Sequence, residues 1–99
     1  MCIQSVIRVS FDPNKSAKNA IERGLPFEVV SEFDFSSALF TKDERLAYAE
    51  TRYVALGLLH DRLHVLCFTE TRDGIRVISF RKANDREAKV YAKVKTIVE

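Results

Sequence analysis

Arg52-Tyr53-Val54-Ala55-Leu56-Gly57-Leu58-Leu59, Leu63-His64-Val65-Leu66-Cys67-Phe68-Thr69-Glu70 and Ile75-Arg76-Val77-Ile78-Ser79-Phe80-Arg81-Lys82 are three apolar-rich runs joined by two short polar connections, His60-Asp61-Arg62 and Thr71-Arg72-Asp73-Gly74. Together they read as a three-stranded antiparallel meander. Asp-Gly between strand-forming runs is a strong hairpin signal, because a tight primed turn needs positive φ. With turn tips at Asp61-Arg62 and Asp73-Gly74, Phe68 falls opposite Ser79, Leu66 opposite Arg81, Gly57 opposite Leu66 and Ala55 opposite Phe68. Side chains alternate across a strand, so two faces separate. Val54, Leu56, Leu58, Val65, Cys67, Ile78 and Phe80 form the expected core surface. Tyr53, Ala55, Gly57, Leu59, His64, Leu66, Phe68, Glu70, Val77, Ser79 and Arg81 form the expected working surface, small at its middle and polar at its rim.

The 99 residues make one domain, spanning 1–99, with 46% hydrophobic and 30% charged residues. That balance supports a single core and excludes a disordered tail. No apolar run approaches the roughly 20 residues of a membrane helix. The N-terminus lacks a basic region followed by an apolar one, so the expectation is a cytoplasmic protein with no membrane partner. Cys2 and Cys67 have no zinc-ligand spacing and read as reduced thiols, Cys67 in the core. The net charge of +2 is unevenly spread. Between Arg76 and Lys95 seven basic residues face two acidic ones, leaving −3 for the rest of the chain. A C-terminal third of this kind suits an anionic partner, nucleic acid first.

Ahead of the meander, Val6-Ile7-Arg8-Val9-Ser10-Phe11 alternates as a strand. Asp12 and Pro13 form an N-cap and first helical residue. The helix runs to about Arg23, burying Ala17, Ala20 and Ile21, with Lys15, Lys18, Asn19 and Arg23 outward, and Gly24 ends it in a left-handed cap. Leu25-Pro26 restarts the chain into a shorter helix with Phe27, Val30 and Phe33 inward. Ala38-Leu39-Phe40 is a short edge strand, and the polar stretch from Thr41 to Glu50 is a loop with a helical turn, of the kind that often carries function. After the meander, Asn84 and Glu87 approximate a capping box. The last helix presents Val90, Tyr91, Val94, Ile97 and Val98 as its apolar stripe, with Arg86, Lys89 and Lys93 outward. The fold class is therefore α+β: a small antiparallel sheet, meander plus N-terminal strand, with helices packed on one side.

No phosphate-binding loop, dinucleotide fingerprint, nucleophile elbow or metal-ligand spacing is present in the sequence. What remains is a set of cations and proton carriers: Arg45, Glu50, Arg52, His64, Glu70, Arg76, Arg81 and Lys82. Such a set suits cleavage of RNA without metal or cofactor. That reaction needs a base for the 2′-hydroxyl, cations for charge growing on phosphorus and an acid for the leaving oxygen. Arginine grips two phosphate oxygens at once, and histidine titrates near neutrality.

Tyr48-Ala49-Glu50-Thr51-Arg52-Tyr53, Ala55-Leu56-Gly57, Arg62-Leu63-His64-Val65, Ile75-Arg76-Val77-Ile78-Ser79-Phe80-Arg81-Lys82-Ala83-Asn84 and Arg86-Glu87 resemble the BrnT family of type II toxins. Phe11-Asp12-Pro13-Asn14-Lys15, Asn19, Gly24 and Phe27-Glu28 follow the family's opening pattern. The resemblance covers about residues 9–91. It departs at Glu22-Arg23-Gly24, where relatives often carry Lys-His-Gly, at Ala49, where many carry glycine, and at Arg72, the nearest equivalent of an arginine expected before the last hairpin turn. It implies a RelE-like ribonuclease fold, endoribonucleolytic cleavage that inhibits translation, neutralisation by a BrnA-type antitoxin, and operator DNA bound through that antitoxin. The residues it carries over are Glu50, Arg52, His64, Arg76, Ser79, Arg81 and Lys82.

The expected site therefore has Glu50, Arg52, His64 and Arg81 as catalytic groups, with Arg52 and Arg81 holding the scissile phosphate. Arg45, Arg76, Ser79 and Lys82 bind the RNA substrate. The rival expectation is a non-catalytic nucleic-acid-binding or corepressor module acting with an antitoxin, whose binding falls steeply with salt while the RNA stays intact.

Overall fold

A computed structural model describes residues 8–44 and 50–98. In chain order these form strand β1 (Arg8–Ser10), helix α1 (Pro13–Arg23), a 3₁₀ helix (Phe27–Glu32), strands β2 (Leu39–Asp43), β3 (Arg52–Leu59), β4 (Arg62–Glu70) and β5 (Gly74–Lys82), and helix α2 (Asp85–Val98). The α+β class holds, and the sheet is five-stranded in the order β1-β5-β4-β3-β2. β2 to β5 are antiparallel neighbours. β1 instead pairs parallel with the start of β5, making the sheet mixed.

The meander forms where its apolar runs lie, but its registers differ from expectation. Leu59 pairs with Arg62, so the first turn is the two-residue loop His60-Asp61, one position earlier than expected. Both residues take left-handed φ, 50° and 66°, as a primed turn requires. Ala55 then faces Leu66 and Gly57 faces His64. At the second turn the Thr71 N–H donates to the Gly74 carbonyl at 2.9 Å. Gly74 is needed there for closeness rather than for its φ: a Cβ would stand 1.9 Å from the Arg8 carbonyl oxygen of β1.

Between β4 and β5 the register shifts at Cys67/Phe68. Phe68 pairs with Val77 but Cys67 pairs with Ser79, leaving Ile78 as an extra residue in a β-bulge. Past the bulge every β5 side chain changes face relative to an unbroken strand. Phe80 therefore joins Leu66 and Val77 on one side, while Ser79 and Arg81 join Cys67 and Val65 on the other.

The core lies on the side expected to be the working surface. Phe27, Val30 and Phe33 of the 3₁₀ segment pack with Ala55, Leu59, Leu66, Phe68, Ile75, Val77 and Phe80. The small residues at the middle of that face make room for an aromatic ring, since a Cβ at Gly57 would come within 2.8 Å of Phe33 Cζ. Phe33 in turn meets Phe80 edge to face at 6.0 Å. Val54, Leu56, Val65, Cys67, Ser79 and Arg81 occupy the reverse face.

α1 has the expected caps, with the Asp12 carboxylate accepting from the Asn14 N–H and Gly24 in left-handed conformation. Its buried side is not the expected Ala17, Ala20 and Ile21. Ile21 is 85% exposed, and Ser16 and Asn19 are the buried residues. The reason is that α1 docks on backbone. β1 covers only the start of β5, and Asn19 Nδ2 donates to the carbonyls of Phe80 (2.9 Å) and Leu25 (2.6 Å) beyond it. Ser16 Oγ accepts from the Phe27 N–H at 2.8 Å. α2 opens with the expected capping box, Asn84 N–H to Glu87 and Glu87 N–H to Asn84. Its Val90 and Val94 line an apolar groove of about 490 Å³ with Leu39, Leu56 and Val65 of the reverse face. Among the described residues no helix is long and apolar enough to cross a membrane.

Asn19→Ala leaves two buried carbonyls without their donor and is expected to destabilise the protein by about 2 kcal/mol. Ile21→Ser, on the exposed side, is expected to stay within about 0.5 kcal/mol of the parent. Urea unfolding of the two variants checks the docking of α1, and the reverse ranking would contradict it.

Candidate active site

Directly paired residues share a face, so Arg52 of β3, Thr69 of β4 and Arg76 of β5 form one row across the reverse side of the sheet, with Asp43 of β2 at its end. Arg76 was expected on the core side at a strand end. The inversion of the two faces makes that side the reverse one, and Arg76 is exposed there. Asp12 and Lys15 at the start of α1, together with Glu50, join Arg52, Thr69 and Arg76 around a cavity of about 140 Å³. Glu50 Oε2 lies 3.6 Å from Arg52 Nε. The small volume and mostly polar wall suit a compact anion such as a phosphate.

Beyond this row lies a larger cleft of about 480 Å³, with Val54, Val65 and Cys67 as part of its lining and Ser79, Arg81, Glu87, Asp43 and Arg23 among its polar groups. Arg81 reaches Glu87 with both ends of its fork, Nη1 to Oε1 at 2.9 Å and Nη2 to Oε2 at 2.7 Å. This bond holds the Glu87 carboxyl below the usual carboxylate range, with partial burial opposing it and the Asn84 N–H adding to it. Arg81 thus ties α2 to the end of β5, and its two forward donors are engaged by a carboxylate.

His64 lies on the core face, 3% exposed and stacked on Phe80 with ring centres 5.3 Å apart. Its Nδ1 donates to the Arg62 carbonyl at 2.8 Å. Burial, with Lys82, Arg62 and His60 nearby, lowers its pKa below 6.5, against the Arg62 hydrogen bond. His64 and Arg81 therefore point to opposite sides of the sheet, and the expected working surface that joined them does not exist. Lys82 pairs with His64 in register and follows it to that side, exposed. Arg45 lies outside the described residues, and so does most of the loop leading to Glu50.

The structure brings Glu50, Arg52 and Arg76 together, and sets Ser79 and Arg81 in the neighbouring cleft. Asp12, Lys15 and Thr69 complete the small cavity and had not been singled out as site residues. Asp12 and Lys15 stand within the Phe11-Asp12-Pro13-Asn14-Lys15 stretch, whose capping role concealed a second use. Among the described residues no group of three or more His, Cys, Asp or Glu side chains is placed to hold a metal ion.

The fold and site define a small α+β protein with a cleft-bearing, arginine-lined sheet face. A family model for the ribonuclease toxin BrnT of type II toxin–antitoxin systems matches residues 11–87. The chain belongs to that family, and as a type II toxin it has an antitoxin partner. No curated protein matches it closely enough to serve as a relative.

The buried imidazole makes a pH prediction. Because the folded pKa of His64 lies below its ordinary 6.5, the unfolded chain binds more protons than the native state between the two values, and stability rises with pH across that window. The contribution is complete above about pH 6.5 and is lost as pH falls below it. His64→Phe keeps the stacking and removes the titration, so the loss of stability from about pH 7.5 to about 5.5 is expected to be smaller in the variant. Equal losses in parent and variant would assign the titration to other groups.

Proposed function

We propose that this toxin is a metal-independent endoribonuclease whose cleavage centre is the cavity formed by Lys15, Glu50, Arg52, Thr69 and Arg76. RNA cleavage there inhibits translation, and a BrnA-type antitoxin neutralises it and carries the complex to operator DNA. The convergence of three cations, Lys15, Arg52 and Arg76, with two carboxylates, Asp12 and Glu50, on a phosphate-sized cavity of about 140 Å³ supports the proposal.

In this centre Arg52 and Arg76 grip the non-bridging oxygens of the scissile phosphate. Glu50, held beside Arg52, accepts the 2′-hydroxyl proton as the 2′-oxygen attacks phosphorus. The P–O5′ bond breaks and the 5′-oxygen takes a proton from Lys15 or solvent, leaving a 2′,3′-cyclic phosphate and a 5′-hydroxyl. The negative charge that grows on phosphorus meets fixed cations, the arrangement that contributes most to such reactions. Ser79 stands one row away and Arg81 two, and they serve RNA binding and the anchoring of α2. His64 belongs to the core and has no part in the chemistry.

Purified protein in EDTA is expected to cleave single-stranded RNA. Arg52→Ala and Arg76→Ala are each expected to lower kcat roughly 100-fold or more with melting temperatures close to the parent's. Glu50→Gln is expected to do the same. A requirement for added divalent metal, or full activity in both arginine variants, would refute the centre. RNA that is bound and retarded but stays full length would favour the binding-module alternative.

A further inference from the structure

We propose that the cleft lined by Arg23, Asp43, Val54, Val65, Cys67 and Ser79 is a nucleobase subsite that takes a purine of the RNA strand, guanine before adenine. The proposal rests on the cleavage centre described above and extends it to substrate choice.

Placement is the first argument. Arg52 of the small cavity and Val54 of the cleft lie on the same face of β3, two residues apart, a separation of about 7 Å. A single strand of RNA fixed by its phosphate at Arg52 and Arg76 reaches the cleft with the base of the adjoining nucleotide. The cleft also has more than three times the volume of the cavity, about 480 Å³ against about 140 Å³. The phosphate and the base thus each have a compartment of suitable size.

Composition is the second. Val54, Val65 and Cys67 give an apolar wall against which the flat face of a base can lie, and the polar groups stand around it. Ligand sites for partly polar rings have this make-up. Single-stranded RNA is read by stacking and by hydrogen bonds to the edges of splayed bases. Guanine offers acceptors at O6 and N7 to a guanidinium, and ring and exocyclic N–H donors to a carboxylate or hydroxyl. The cleft supplies both types, Arg23 on one hand and Asp43, Glu44 and Ser79 on the other. A pyrimidine is narrower and makes fewer of these contacts.

Preorganisation is the third. Arg23 Nη1 donates to Asn19 Oδ1 at 3.1 Å, and Asn19 is itself fixed by two backbone carbonyls. The guanidinium is therefore held at the cleft by the same residue that docks α1. Arg81, by contrast, is turned to Glu87.

The test uses uridine decamers carrying a single central A, C or G. Cleavage is followed by kcat/KM, and affinity is measured on the same series with 2′-O-methyl groups that block cleavage. The parent is expected to favour the guanine strand about tenfold over uridine in both readouts. Arg23→Gln is expected to lower kcat/KM for that strand about tenfold while lowering it less than threefold for uridine. Ser79→Ala, on the β5 side of the cleft, is expected to narrow the preference as well. Equal affinities for all strands in the parent, or a preference unaltered in both variants, would overturn the subsite. A guanine preference in binding that Arg23→Gln abolishes, with no strand cut, would support the subsite and refute the cleavage centre.

Discussion

One extra residue in β5 lets the aromatic core close and decides which side of the sheet the end of that strand faces. Were the strand regular, Val77 in the core would bring Ser79 and Arg81 with it and expel Phe80. The bulge at Ile78 lets Val77 and Phe80 both point inward, and so sends Ser79 and Arg81 to the opposite side, where Arg76 already lies as the neighbour of Val77. Phe80 is fully buried and touches both Phe33 and His64. The core could not close around the aromatic cluster without that change of phase, nor could Arg81 share a face with Arg52 and Arg76. The packing of Phe80 and the placing of Ser79 and Arg81 in the larger cleft are two results of the same insertion, in the way bulges re-aim side chains.

How far the sequence could be read follows from what each signal measures. Local signals held: the three apolar runs, Asp12 with Pro13, Gly24, and Asn84 with Glu87 all stand where expected, because caps and strand formation depend on near neighbours. The faces did not hold, because alternation shows that two sides exist and not which one another segment will cover. Val54, Leu56 and Val65 looked more like a core than Ala55 and Gly57 do. The choice was made by Phe33, which needs a shallow place to lie, and no periodicity within the meander reports that. The bulge is equally silent, since nothing in Val77-Ile78-Ser79 departs from a strand pattern.

The same distinction explains the site. Glu50, Arg52 and Arg76 stand out in the sequence as charged candidates, and the pairing of three strands gathers two of them into a row. His64 misled because a titratable ring near a strand end looks available, whereas this one is stacked and hydrogen-bonded within the core. Arg81 was read as a phosphate ligand, and the capping box and Arg81 were read separately. In the structure Glu87 unites them, capping α2 with one oxygen while accepting from Arg81 with both. Asn19 was placed outward because helix periodicity counts apolar residues, and a helix that docks on backbone carbonyls buries polar ones.

The parallel pairing of β1 with β5 has a temporal side. Arg8, Val9 and Ser10 find their partners in Gly74, Ile75 and Arg76, about two thirds of the chain away. Contacts of such long separation form late, since the intervening chain must be closed into a loop first. Lys15 sits just after one partner and Arg76 within the other, so the pocket they share exists only once both ends have met. On the ribosome the N-terminal helix and two strands of the meander emerge without it. The cavity is thus complete only after the last strand has been made.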